Sequence, residues 1–293
     1  MNESLLKTNT ARAFFHGEGW LNIGGDRTWI SPEMETHTAD MEHYPDNIDV
    51  PKAVDPGSYT VTEANDTSVT LESFMNVYFH QSRISMKMNL KKQVLMMDES
   101  PVALPEHVDF AGYYMNTSLT LAEPATGPVR PGLWNLIQVP GGGTIFVPVK
   151  PGAIPRAFIG TPAFTMKGNL LTCSVDTDAS FKFSLKAGHS KGLMAYCSTD
   201  NEPASLVVRS LSVQDEALYA DYPCLDMADD GYMTEIYIDD GMYGGFGEME
   251  YHSPAIDVGK GQKEVNDLSE TWAFSGPAVA IQELCDSILN EVS

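Results

Sequence analysis

The chain has 293 residues, with 18 Lys and Arg against 40 Asp and Glu, a formal net charge of -22. Such a surface repels nucleic acid and anionic lipid, so neither is an expected partner, and neutral or cationic ligands are favoured. A 43% hydrophobic fraction is ample for one large core or two ordinary ones.

The N-terminus, from Met1 to Lys7, lacks the apolar run of a signal peptide. No stretch approaches the roughly 18 apolar residues of a membrane span. The compartment stays open. The four cysteines, Cys173, Cys197, Cys224 and Cys285, show no metal-ligand spacing and read as small core residues.

The first informative segment is Asn22-Ile23-Gly24-Gly25-Asp26-Arg27-Thr28-Trp29-Ile30-Ser31-Pro32-Glu33. A glycine pair allows a tight turn and a close backbone approach. Asp26, Arg27 and Glu33 can hydrogen-bond a ring of hydroxyls, and the Trp29 face can cover the C–H side of a sugar. The plainer reading is a strand, a turn and a buried Trp, with Asp26 and Arg27 paired on the surface.

Strand signals follow. Val69, Leu71, Met75, Val77 and Phe79 alternate loosely, and Ile84, Met86, Met88 and Leu90 alternate strictly with polar residues, as half-buried strands do. Gly132 to Val139 puts Trp134, Leu136 and Gln138 on one face. Trp134 and Gln138 there form either a sugar platform with a polar reader or a core Trp and an edge Gln. The glycines at 141–143 are no phosphate loop, because no Lys-Ser/Thr follows. Phe181, Phe183 and Leu185 alternate with Lys182, Ser184 and Lys186. Val207–Val213 and Thr234–Asp239 are further candidates. Pro/Gly clusters at 55–58, 127–128, 140–143, 150–152 and 239–241 read as hairpin loops.

In a strand from Gly247 to His252, Glu248, Glu250 and His252 share one face, while Met249 and Tyr251 take the other. Two carboxylates and an imidazole can divide proton-transfer work, although a solvated face on an acidic protein has the same pattern. The remaining histidines, among them His37, His80 and His189, form no metal spacing and read singly as structural or solvated. No metal site and no cofactor is expected. One helix is expected at the C-terminus: Ile281, Leu284, Cys285, Ile288 and Leu289 fall on one stripe after Pro277. Many strands and almost no helix imply a large antiparallel sandwich, and no composition break divides it, so one domain over 1–293 is expected.

These segments, with Glu270-Thr271-Trp272-Ala273-Phe274-Ser275-Gly276, occur in the order that resembles the galactose-mutarotase-like (aldose 1-epimerase-like) superfamily, most closely a bacterial branch of it. The resemblance spans about residues 20–280 and implies a β-supersandwich with a sugar-binding cleft on a concave face. It also implies that the chain is short before its Gly-Gly segment. In mutarotases a late carboxylate takes the proton of the anomeric hydroxyl and a histidine protonates the ring oxygen. Glu250, four residues before Pro254, matches the carboxylate, with Glu248 as the alternate. The family's mid-chain histidine segment falls near Asn116-Thr117-Ser118-Leu119, which has none, so His80, His189 or His252 would have to stand in. The resemblance groups Arg27, Trp29, Trp134, Lys186 and Glu250 around one cleft. It implies a sugar or oligosaccharide as partner and leaves three readings: an epimerase-like enzyme, a non-catalytic carbohydrate-binding module, and a structural protein that keeps only the fold.

Overall fold

The computed structural model describes residues 22–123, 128–176, 178–220 and 229–292. The expectations for residues 1–21, Gly127 and Cys224 lie outside these. The described residues are all-β, with two antiparallel sheets and one long helix.

The smaller sheet has the order β1 (Asp26–Ser31), β6 (Gly132–Pro140), β15 (Phe246–His252), β14 (Thr234–Ile238), β11 (Phe181–Leu185), β8 (Arg156–Ile159). The larger runs β2 (Thr60–Ala64), β3 (Ser68–Phe79), β4 (Ile84–Met96), β5 (Asp109–Leu121), β16 (Glu264–Gly276), β13 (Ala204–Leu211), β12 (Leu193–Ser198), β7 (Thr144–Pro148), β10 (Leu170–Ser174), β9 (Phe164–Lys167). Apolar residues at every second position stack the sheets face to face. Phe181, Phe183, Ile236, Ile238, Met249 and Tyr251 of the small sheet meet Ile145, Val147, Leu171, Met194 and Tyr196 of the large one in one core. A second core joins β1 and β6 to β3, β4 and β5.

The C-terminal helix, α2 (Ala278–Val292), follows α1, the single turn Glu33–Thr36. Its stripe of Ile281, Leu284, Cys285, Ile288 and Leu289 packs on the outer side of the large sheet against Leu193, Ala195, Leu206 and Val208. The helix starts one residue later than the proline suggests: the Pro277 carbonyl accepts from Ile281 N at 3.0 Å. No helix among the described residues is long and apolar enough to cross a membrane.

Three turns differ from the hairpins expected of them: residues 55–58 lead into β2 from an irregular segment and close no hairpin, and two others change sheet. Residues 140–143 lead from β6 in the small sheet to β7 in the large one, and 150–152 lead back from β7 to β8. A Pro/Gly cluster reports that the chain reverses, not which strand it joins next. The turn at 239–241 does close a hairpin, β14–β15. Cys173, Cys197 and Cys285 are buried as read.

Candidate functional site

The outward face of the small sheet carries polar groups in three rows. One row runs Lys182, Tyr237, Glu248, Gln138. The next runs Ser184, Glu235, Glu250, Leu136, Arg27. The third holds His252, Trp134 and Trp29. These positions face away from the core between the sheets because each alternates with an inward residue on its own strand, and Trp29, Trp134 and Leu136 pack there with Val50 and Val54 into the second core. Glu33 reaches the same face from α1, just after β1.

Lys182 is the hub. Its Nζ lies 3.0 Å from Glu33 Oε2, 2.9 Å from Glu235 Oε2 and 3.0 Å from Glu250 Oε2, and 4.5 Å above the Trp134 ring centroid. Trp134 Nε1 donates to the same Glu250 oxygen at 2.6 Å. Ser184 Oγ donates to Glu235 Oε1 at 2.6 Å, and His252 Nε2 lies 3.2 Å from Glu235 Oε2. All are buried: Lys182 is 2% exposed, Glu250 1%, His252 1% and Trp134 3%. Burial lowers the Lys182 ammonium pKa, but the carboxylates of Glu235, Glu250 and Glu33 outweigh it and hold the group well above its ordinary value. Glu235 is raised by burial yet brought down to about 2 by Lys182 and His252. Glu250 moves the other way. Burial, with Glu235, Glu248 and Glu33 close by, overcomes Lys182 and raises it well above the usual carboxyl range. Two carboxyls on one cation are thus driven apart, the pattern that separates acid from base roles in active sites.

A second group adjoins this one. Arg27 Nη2 donates to Glu248 Oε1, which also accepts from Gln138 Nε2 at 2.9 Å. Arg27 Nη1 is 3.8 Å from Asp55 Oδ2, which accepts from Trp29 Nε1 at 3.1 Å. The Arg27 guanidinium stands 4.8 Å from the Trp29 centroid. Gly24 and Gly25, at φ 73° and 82°, make the turn that leads the chain into β1 beside this group.

The structure thus brings together Arg27, Trp29, Glu33, Trp134, Gln138, Glu248, Glu250 and His252. Three proposed residues stand elsewhere. Asp26 is one residue from Arg27 on a strand and therefore points inward; it accepts from Arg209 Nη2 at 2.8 and 2.9 Å and from the Tyr113 hydroxyl at 2.6 Å between the sheets. Lys186 ends its strand in an ion pair with Asp229 at 2.7 Å, beside Tyr232 and half-exposed. His189 sits in the one-turn helix Ala187–His189, and its Nδ1 faces Ile154 N at 3.4 Å.

The sequence reading missed Lys182, Glu235, Asp55 and His37. His37 is 1% exposed, with its ring 5.0 Å from Trp29 and 5.6 Å, edge-on, from Trp134. Burial first, and the Lys182 charge second, lower its pKa to about 3, so the ring is neutral at ordinary pH. Strand parity could have flagged Lys182 and Glu235; nothing local could have flagged His37 or Asp55, which come from the irregular segment before β2.

The model of a family of unknown function (DUF6786) matches residues 1–292. Among solved structures, a galactose mutarotase-like protein from Lactobacillus casei superposes with a TM-score of 0.50 at 11% identity, over 85% of this chain and 84% of that one. A protein from Synechocystis sp. PCC 6803 gives 0.49 at 11%, over 91% and 83%. A galactose mutarotase related enzyme from Lactobacillus acidophilus gives 0.42 at 9%, over 76% and 72%. No curated protein matches the chain. The first superposition shows that the chain has the galactose-mutarotase-like sandwich, and at 11% identity it shows the fold alone.

Proposed function

The chain belongs to the DUF6786 family, and from that premise we propose that it is a carbohydrate-active protein that takes a sugar or oligosaccharide where the covered outward face of the small sheet reaches solvent, at the rim formed by Arg27, Gln138 and Glu248. Glu250 is its proton-transfer group. One observation carries the reading: Glu250 and Glu235 share the Lys182 ammonium, yet Glu235 is held ionised and Glu250 is pushed toward protonation. A carboxyl with a raised pKa takes a hydroxyl proton and returns it more readily than an ordinary one. Trp29, 7% exposed at the edge of the set, supplies what aromatic surface a sugar C–H face can meet, with Trp134 packed beneath it, and Arg27, Gln138 and Glu248 supply donors and acceptors at the rim. His252, on the same face, is the acid candidate among the histidines. Epimerase-like chemistry, ring opening and reclosure at the anomeric carbon, is the reaction this set fits.

A specific observation favours a second reading, a non-catalytic carbohydrate-binding protein. Each carboxylate contact of Lys182 is already made within the protein, and the segment where the resemblance to mutarotases would place their mid-chain histidine, Asn116 to Leu119, holds none. Glycan-array binding followed by polarimetry on the hits separates the two. The enzyme reading expects anomers of a bound sugar to interconvert faster than in buffer. Binding without acceleration replaces it with the second reading, and an array with no hits removes both.

A further inference from the structure

The large sheet has an outward face of its own, and α2 covers only the part over β12 and β13. Alternation fixes which side chains stand on the rest of it. Leu90, Leu119 and Val265 point into the second core, so Gln93, Asn116, Ser118 and Asn266 point away from it. A cavity of about 630 Å³ opens over them. Two rows of neighbours cross three adjacent strands there: Gln93, Asn116 and Leu268, then Lys91, Ser118 and Asn266. Ser212 and Gln214, from the segment that follows β13, bound the cavity on one side.

The lining is thus made of amides and hydroxyls. Asn116 Nδ2 donates to Gln93 Oε1 at 3.4 Å, and Asn266 Nδ2 to Glu264 Oε1 at 2.9 Å. These bonds use only part of what an amide offers, two N–H donors and an acceptor oxygen. Charge is sparse. Among the described residues Lys91 is the one cation of the lining, against the carboxyls of Glu264 and Asp267. Asp267 is already held by the Tyr251 hydroxyl at 2.7 Å. An anionic ligand would meet more acid than base here, on a protein of net charge -22.

One row further along the same strands, Leu95 pairs with Tyr114. The two are 39% and 37% exposed and line a neighbouring cavity of about 430 Å³. The face therefore passes from polar at Asn116 to aromatic at Tyr114. Tyr114 to Ser118 covers about 13 Å of strand at roughly 3.4 Å per residue, longer than one sugar ring.

We infer that this face is a second ligand site, which holds a neutral, linear oligosaccharide along Tyr114, Asn116 and Ser118. Sugar hydroxyls both donate and accept, as the amides do, and the Tyr114 ring and Leu268 suit the C–H patches between them. A peptide fits less well: β4, β5 and β16 are interior strands, so no sheet edge is offered for backbone pairing. The inference goes beyond the small-sheet reading and does not rest on it. β5 and β16 lie in the other sheet from β15, and no chemistry of Glu250 or Lys182 is involved.

The test is titration calorimetry on the whole protein with cello-, malto-, xylo- and manno-oligosaccharides of one to six units, beside hexagalacturonate and a Gly/Ser hexapeptide. In at least one neutral series affinity should rise about tenfold or more from monomer to tetramer. Asn116→Ala combined with Asn266→Ala, both at exposed positions, should lower the tetramer's affinity by about tenfold, the loss of one or two hydrogen bonds. Tyr114→Ala is measured in parallel in case the double variant fails to fold. Glu250→Gln should leave that affinity unchanged. A tetramer affinity that the folded large-sheet variants do not lower overturns the inference. So does tighter binding of hexagalacturonate or the peptide than of every neutral series. Binding that Glu250→Gln abolishes and the large-sheet variants spare overturns it and leaves the small-sheet reading standing. Oligomers that bind no tighter than their monomers also overturn it, and the monomers then judge the small-sheet reading by themselves.

Discussion

Asp26 and Arg27 are chain neighbours that enter two different buried ion networks, and the contrast separates structural charge from candidate chemistry. Asp26 points between the sheets, where it holds Arg209, which is fully buried (0% exposed) and lies 5.0 Å from the Tyr251 ring. Lys92 Nζ joins there at 3.3 Å through the Asp26 carbonyl. That network, which Tyr251 extends to Asp267 by a 2.7 Å bond, sits inside the core, joining β1 to β13 as a clamp. Arg27 points outward into a network rich in carboxyls, one of them pushed toward protonation, with two buried imidazoles beside it. If the contrast is real, substitutions in the first network cost stability and spare ligand binding, and conservative ones in the second do the reverse.

The sharpest break is at Glu250. Glu250→Gln keeps the volume and the oxygen that accepts from Trp134, and it removes a charge the cluster already disfavours. Melting temperature should stay within a few degrees, while turnover of a sugar substrate falls by ~10²–10⁴-fold. A melting temperature that collapses with activity would make Glu250 a structural member like Asp26.

Next comes Asp26→Asn. It strips Arg209 of its carboxylate and leaves a buried cation near Lys92, a change that costs about 3–5 kcal/mol. Denaturant unfolding should show that loss, with sugar affinity per folded molecule unchanged. Arg209→Met should cost less, since the Asp26 it leaves has a side chain 13% exposed to water. Equal losses, or a loss of affinity in the folded Asp26→Asn protein, would join the two networks into one.

What the sequence disclosed follows the same division. Alternation assigned faces correctly in β15, with Glu248, Glu250 and His252 opposite Met249 and Tyr251, and in β6 with Trp134 and Gln138. It also found the stripe of α2. Asp26 was grouped with Arg27 by nearness in sequence, where parity along one strand already required opposite faces. Lys182 looked like the solvated alternate of Phe181 and Phe183, because alternation says which face a residue takes and not whether that face is covered. What covers it here includes α1 and the irregular segment bearing Tyr44 and Asp55, whose position no period encodes. The resemblance points to Lys186, whereas strand parity places Lys182 on the same face and does not distinguish the two.

His37 offers a pH test of the outward network. Its folded pKa of about 3 lies below the ordinary 6.5. The neutral ring's contribution is thus fully present above pH 6.5 and is lost as pH falls toward 3. Glu235, at about 2 against 4.5, adds a loss of the same sign only below pH 4.5. Between pH 6.5 and 4.5 the difference between wild type and His37→Gln should shrink by about 2–3 kcal/mol, one proton's slope over that window. Taking the difference removes Glu250, whose raised value works in the opposite direction as pH falls. A difference that does not change with pH would mean that His37 is not held neutral by burial.

The smallest expected effect is at Trp29, and it is the finest probe of the contrast. Trp29→Phe keeps an aromatic ring edge-on to Trp134, 5.0 Å away in the native pair, and loses the bond from Nε1 to Asp55. Asp55 still has Arg27 at 3.8 Å, and its side chain is 10% exposed to water, so the carboxylate is not stranded. The stability cost should be about 1–2 kcal/mol, that of one hydrogen bond to a charged group. A clamp residue would show that and nothing more. A residue that covers the C–H face of a bound sugar also loses contact surface with the ligand, so affinity should fall by roughly 3–10-fold in the same variant, under 1.4 kcal/mol. Calorimetry on the folded variant reads the two apart. A melting-temperature shift with affinity unchanged would assign Trp29 to the scaffold.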